Sequence, residues 1–321
     1  MARYLVTGGA GFIGSNLVKN LLRRGEEVTV LDDFSTGKRS NLHPALERIR
    51  LVAGSLLDEA ALEQSMSEVD FVLHLAAIAS VQRSFDDPLL CLRTNSEGTL
   101  RLLLAARRHG VRRVVVASSS AVYGDDPRLP KREDMAAQPI SLYGLTKLDG
   151  EIFGRLFSGE LGVEVVCLRY FNVFGPHQDP ASEYAAVIPC FLARMLRGVP
   201  PIIYGDGGQS RDFCYVDNVA QANLLACHAP QVAGRVINIA SGEQVDLLAL
   251  VTTLNELLGT RLEPRHEPAR HGDIRHSSAD VQLARELLGY RAETSFIEGL
   301  RRTVAWYEEQ TSPARAGCPT P

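Results

Sequence analysis

Through the first half of the chain, short apolar runs alternate with longer stretches whose apolar positions recur three and four residues apart. Short apolar runs bounded by turn residues are the pattern of strands buried on both faces, whereas i, i+3, i+4 spacing lines one face of a helix. The runs predict strands at Tyr4 to Val6, Val28 to Leu31, Ile49 to Ala53, Phe71 to Leu75, Val114 to Ala117 and Val163 to Leu168. The periodic stretches predict helices at about 12–23, 59–67, 90–109 and 142–160. Strand and helix alternating in this way form βαβ units, and right-handed crossovers assemble them into an α/β fold with a doubly wound parallel sheet.

After Phe174-Gly175-Pro176 the pattern loosens into loops rich in proline and glycine, among them Pro200-Pro201 and Gly205-Asp206-Gly207-Gly208, with helical segments between them. A smaller C-terminal substrate-binding lobe is expected there. Val236 to Ile239 reads as a strand that rejoins the main sheet, so the two parts interleave. The expected division is a main domain over 1–175 with returning segments at about 212–241, a lobe within 176–310, and a small polar tail over 311–321 that frays.

Composition narrows the classes of partner. A formal net charge of −4 spread over 321 residues supplies no field that would gather nucleic acid or anionic lipid. An anionic small substrate therefore requires a local pocket of arginines. No stretch reaches the length of an apolar membrane span, and the N-terminus opens on a strand pattern rather than a basic and then apolar leader. The six cysteines are scattered without a CxxC pair and sit mostly in apolar runs, which fits a reducing cytoplasm. His266, His271 and His276 recur every five residues, a spacing that does not share a helix face, and no carboxylate cluster completes a set, so no metal is expected.

Directly after the first strand, Gly8, Gly11 and Gly14 stand three apart, so the chain turns tightly and opens a helix whose N–H groups face a pyrophosphate. Eighteen residues beyond Gly14, Asp32 and Asp33 end the second strand, where a carboxylate binds an adenosine ribose and repels a 2′-phosphate. This spacing predicts a Rossmann-type domain that binds NAD rather than NADP. A glycine turn beside a solvated acid pair is the plainer reading, and it leaves the spacing unexplained.

Tyr143 and Lys147 are four apart at the start of a predicted helix, on one face and within reach of one ligand. A phenol that acts as a base near neutrality needs its pKa lowered by about three units, roughly 4 kcal/mol, and a cation about 4 Å away supplies a term of that order. Upstream, Ser118-Ser119-Ser120 leaves the end of a buried strand, where hydroxyls reach a sugar oxygen. Taken alone, such a pair is usually a solvated lysine beside a half-buried aromatic. Its order behind a dinucleotide fingerprint gives it weight.

The stretches Thr7 to Gly14, Ser118 to Gly124 and Tyr143-Gly144-Leu145-Thr146-Lys147 resemble the extended short-chain dehydrogenase/reductases that act on nucleotide sugars, and the similarity runs from Arg3 to about Tyr307. The resemblance implies that Tyr143 is the base, that Lys147 orients the nicotinamide ribose and lowers the phenol pKa, and that Ser119 assists. It further implies cofactor contacts at Phe12, Ile13, Ser35, Leu75, Ala76, Ala77, Asn95 and Tyr170. The implied reaction is a 4-epimerisation through a 4-keto sugar with no net redox change. Dehydratases of this family carry acidic residues where Ser120 and Ala121 stand, and decarboxylating members carry Glu in place of Ala121, so both chemistries lose their characteristic group. A further departure is Gly54-Ser55-Leu56, where relatives usually place an Asp against adenine.

The second half, through Tyr170 to Pro176, Gln178-Asp179-Pro180, Tyr184 to Pro189 and Ser210 to Asn218, is similar to epimerases that prefer UDP-N-acetylglucosamine and its galacto epimer. The resemblance implies that Asn172 and Arg211 hold the diphosphate side, and that Gln178, Ala186 and Val187 lie by the sugar. The resemblance also implies that Ser80 and Ser120 lie at the sugar end, and that Asp273, Arg275 and Ser277 belong to a further family stretch. Ser277 is implied as the wall at the sugar's C2, where a serine leaves room for an N-acetyl group and a tyrosine would not. Ala79 stands where close relatives often carry Gly. A surface ion pair with a neighbouring Asp is the alternative for Arg211 and Arg275. The expected protein is an isomerase acting on a UDP-sugar, UDP-N-acetylglucosamine first and UDP-glucose also. The rivals are a UDP-hexuronate or UDP-galactose epimerase, a 4,6-dehydratase and, last because Tyr143 and Lys147 are both present, a non-catalytic dinucleotide sensor. Relatives pair through helices matching 90–109 and 142–160, so a homodimer is implied.

Overall fold

The computed structural model describes residues 1–43, 45–180, 186–269 and 275–311. Seven parallel strands form the central sheet: β1 (Arg3–Thr7), β2 (Glu27–Asp32), β3 (Arg50–Ala53), β4 (Phe71–His74), β5 (Arg113–Ser119), β6 (Glu164–Tyr170) and β7 (Val236–Ile239). Their order across the sheet is β7-β6-β5-β4-β1-β2-β3. Every strand expected from the apolar runs is present, with ends shifted by a residue or two.

Side chains alternate between faces along each strand, so one strand feeds two cores. Tyr4 and Val6 pack into one apolar cluster with Leu17, Leu21, Val219 and Ile237, whereas Leu5 joins Leu31, Leu102, Val114 and Phe157 on the opposite face. Helices Phe12–Arg23, Glu59–Met66 and Leu142–Glu160 match their predicted spans. The stretch expected as one helix over 90–109 is broken: Pro88–Leu92, a π turn over Arg93–Glu97, and Gly98–Arg108. Asn95 in that π turn is buried and bonds both backbone groups of Ile78, its Oδ1 accepting from the N–H at 2.8 Å and its Nδ2 donating to the carbonyl at 3.1 Å. A local bulge is the means by which a helix turns a polar side chain into such a site.

The chain leaves β1 for β2 and β3 on one side, then returns to β4 on the other, so the switch point lies between β1 and β4. Ligands of doubly wound sheets bind in the crevice at the carboxyl ends of such strands. Here Thr7 stands beside His74, with Oγ1 to Nδ1 at 2.8 Å. A third apolar cluster joins Phe174, Phe191, Phe213, Leu250, Phe296 and Leu300 in the second half. Phe12 and Ile13 of the first helix pack against it. Among the described residues no helix is long and apolar enough to cross a membrane.

Candidate active site

The glycine turn closes on its own backbone. A Cβ on Gly14 would lie 2.1 Å from the Gly8 carbonyl oxygen, and Gly8 itself, at φ +67°, would meet the Ala76 nitrogen at 2.8 Å. No side chain caps the helix that follows, and its first turn carries no acid. Its first N–H groups are therefore left for an anion. Leu75, Ala76 and Ala77, all partly buried, lie beside this turn at the end of β4.

The two acids after β2 divide the work. Asp32 is buried, and its oxygens accept the N–H groups of Ala10 and Phe34 at 2.8 Å each, bracing the glycine turn. Burial raises its carboxyl above the ordinary value. Each oxygen keeps a second lone pair for a hydroxyl. Asp33 is exposed and accepts the Ser35 N–H at 2.9 Å.

Ser119, Tyr143 and Lys147 converge at the carboxyl end of β5. Ser141 caps the helix Leu142–Glu160 by accepting the Gly144 N–H, and the buried Ser84 accepts the Tyr143 N–H at 3.1 Å. Lys147 Nζ donates to the Ala117 carbonyl at 2.8 Å and stands 5.7 Å from the centre of the Tyr143 ring. Burial pushes the Tyr143 phenol above its ordinary value, and its hydrogen bond with Ser119 acts the other way. Burial likewise pushes the Lys147 ammonium down to about 8. The expectation that Lys147 lowers the phenol is thus not met by the geometry of these side chains alone. Its ammonium is held on the Ala117 carbonyl, and burial is the largest influence on the phenol.

Behind these three lies a polar layer that sequence reasoning missed. Ser118 Oγ donates to Glu151 Oε1 at 2.5 Å, and Arg169 bonds the same carboxylate through Nε at 2.8 Å and Nη2 at 2.7 Å. Both charged side chains are 5% exposed. Glu151 stands four residues beyond Lys147, so helical spacing could have flagged it. Arg169 carried no signal, because only strand pairing brings it near.

Other expected contacts are distributed as follows. Tyr170 is buried, its phenol bonded to Asn223 at 3.0 Å. Asn95 holds the backbone at Ile78, as above, and donates to Thr146 Oγ1 at 3.0 Å. Ser80 caps the helix Val81–Asp86 through the Arg83 N–H, and Ser120 opens the short helix Ser120–Tyr123. Asn172, at φ +32°, donates to the Asp212 carbonyl at 3.2 Å and to Ser277 Oγ at 3.4 Å. Arg211 Nη1 donates to the carbonyls of Ser210 and Arg275. Arg275 makes the exposed ion pair with an aspartate that was its alternative reading, Asp206 at 2.8 Å. The Gln178 amide donates to the Val173 carbonyl at 3.3 Å. Ala186 precedes the helix Val187–Met195 without a side-chain cap, and Asp273 lies outside the described residues. His266 and His276 bond separately, to the Gly205 carbonyl and to Ser210. Among the described residues no group of three or more His, Cys, Asp or Glu is arranged to hold a metal ion.

Residues 4–240 match the model of the NAD dependent epimerase/dehydratase family. The UDP-glucose 4-epimerase of Mycolicibacterium smegmatis is 38% identical over 314 residues, covering 96% of this chain and 99% of the relative. The UDP-N-acetylglucosamine 4-epimerase from Methanobrevibacter ruminantium M1, solved in complex with UDP-N-acetylmuramic acid, superposes with a TM-score of 0.92 at 39% identity, covering 97% of this chain and 99% of that one. The Thermus thermophilus UDP-glucose 4-epimerase complex with NAD gives 0.86 at 37% identity, covering 95% and 99%.

Proposed function

Because the chain belongs to the NAD dependent epimerase/dehydratase family, we propose that it is a UDP-sugar 4-epimerase interconverting UDP-N-acetylglucosamine and UDP-N-acetylgalactosamine. The protein is an NAD-dependent isomerase with an interleaved cofactor domain and substrate lobe. The observation that supports the choice of sugar is Ser277, a small side chain bonded by Asn172, at the position read as the wall beside the sugar's C2. A larger residue there would fill the space an N-acetyl group needs.

The chain's own groups fit the cofactor. The uncapped first turn of Phe12–Arg23 would hold the pyrophosphate, with Phe12 and Ile13 supplying N–H groups, and Asp32 and Asp33 would hold the ribose. When bound, NAD would supply a reversible hydride acceptor and a positive charge that would oppose the desolvation raising the Tyr143 phenol. Tyr143 takes the proton of the sugar's 4-hydroxyl and later returns it. Ser119 donates to the oxygen that changes charge, and Lys147 orients the ribose from its seat on the Ala117 carbonyl. Arg211 suits a bidentate contact with the diphosphate. No acid stands at 120 or 121 to eliminate water, which disfavours a dehydratase.

The test is direct. Purified protein with NAD is incubated separately with UDP-N-acetylglucosamine and UDP-glucose, and products are followed by proton NMR and mass spectrometry. A galacto product of unchanged mass from the N-acetyl sugar is expected. Conversion of UDP-glucose alone would remove the Ser277 argument, and loss of water would mean a dehydratase. Inertness toward both would move the reading to hexuronates.

A further inference from the structure

One buried carboxylate of the second half, bonded by several groups at once, has no part in the scheme above. Asp212 follows Arg211 and is 0% exposed. Its Oδ1 accepts the Ser241 N–H at 2.8 Å and the Ser241 hydroxyl at 2.7 Å. The Gly242 N–H reaches Oδ2 at 3.1 Å, and the Ala279 N–H approaches the same oxygen at 3.4 Å. Its backbone carbonyl takes the Asn172 amide at 3.2 Å. One residue thus joins three stretches that are distant in sequence: the segment just after β6, the turn after β7, and the segment that carries Ser277.

A carboxylate placed out of water needs this many donors to remain acceptable, and burial raises its pKa despite them. Such a cost is incurred for geometry. Arg211 lies in a two-residue strand, Ser210–Arg211, paired antiparallel with Val245–Asp246, and its Nη1 rests on the Arg275 carbonyl at 3.2 Å. Ser277 N–H donates to the Ser210 carbonyl at 3.0 Å. The turn at Ser241-Gly242 leads into one flank of Arg211, and the segment through Ala279 leads away from the other. Asp212 bonds both.

We propose that Asp212 is a positioning residue that sets Arg211, Ser277 and Asn172 in register for the diphosphate and sugar of a UDP-linked substrate. This inference rests on the UDP-sugar reading. Asp212 touches no reacting atom, so its loss weakens substrate binding and spares the chemical step. The Asp212→Asn variant presents an N–H₂ to donors that need an oxygen, and loosens both flanks of Arg211 together.

The experiment compares wild type, Asp212→Asn and Ser241→Ala as holoenzymes, measuring KM and kcat for UDP-N-acetylglucosamine, the Kd of UDP by calorimetry, and bound NAD. Asp212→Asn is expected to raise KM and the UDP Kd by tenfold or more, with kcat within threefold of wild type and NAD retained. Ser241→Ala, which removes one of the donors and leaves the backbone bonds, is expected to move both constants two- to fivefold in the same direction. A folded Asp212→Asn protein with unchanged KM and Kd, or one that loses kcat at unchanged KM, overturns the proposal. Should Asp212→Asn fail to fold, unchanged constants in Ser241→Ala overturn it equally. A wild type that neither binds UDP nor turns over a UDP-sugar overturns the underlying reading, and this inference falls with it.

Discussion

Tyr143 sits where position and charge are separable. Its backbone N–H is held by Ser84 and its helix is capped by Ser141 through the Gly144 N–H, so a change confined to the phenol leaves the scaffold alone. Tyr143→Phe removes one oxygen from a partly buried ring. The variant is expected to fold and retain NAD while kcat falls by about a thousandfold, within the usual range for losing a general base, as read from the NMR assay. Activity within tenfold of wild type would exclude the phenol as the base. The spacing of Tyr143 and Lys147 was legible because helical periodicity is local. The ionisation of the pair was not, since desolvation depends on what covers the groups, and no sequence spacing records that.

At the level of elements, the helix Leu142–Glu160 is tied to the sheet by the Glu151 carboxylate, which meets β5 at Ser118 and β6 at Arg169. Removing one partner of a buried ion pair leaves the other charge uncompensated, a loss of about 3–5 kcal/mol. Glu151→Ala is therefore expected to lower the unfolding free energy from chemical denaturation by an amount of that order, and a change below about 1 kcal/mol would mean the pair does not anchor the helix. A second link joins the helix Phe12–Arg23 to the segment after β6. His177 Nδ1 bonds the Asn41 side-chain oxygen at 3.0 Å, Lys19 bonds Nε2, and burial with the Lys19 charge pushes His177 down to about 4. A histidine depressed on folding contributes stability above its unfolded pKa near 6.5, and loses it as pH falls toward the folded value. His74, buried and pushed down to about 3, acts in the same direction. Buried carboxylates such as Asp32 and Asp212 oppose the trend at the acid end, so the useful quantity is a difference between proteins. From pH 6.5 to 4, His177→Gln is expected to lose less stability than wild type, by on the order of 2 kcal/mol, in paired melting curves. Parallel curves would show that His177 does not carry the acid sensitivity.

For the molecule as a whole, several large apolar side chains are exposed among the described residues. Phe85, Leu89 and Leu156 are 52%, 67% and 50% exposed, and Leu145, Ile152 and Leu156 share one face of the helix Leu142–Glu160. Exposed apolar side chains on neighbouring helices suit an interface, and the prediction is a homodimer paired through this helix and its neighbours. Light scattering should return twice the 35.1 kDa chain mass, and Leu89→Asp with Leu156→Asp should halve it while leaving the circular dichroism unchanged. A monomeric wild type would exclude the pairing. The sequence by itself determined the parallel α/β sheet, the glycine turn, the acids after β2 and the catalytic helix, because each is written in periodicity and spacing within about twenty residues. Only the tertiary structure decided the break at Asn95, the burial of Tyr170, the Glu151–Arg169 pair and the convergence on Asp212. Their partners lie many residues apart, and what fixes them is the cost of burying a polar group without a partner, which arises only once the chain has closed around it.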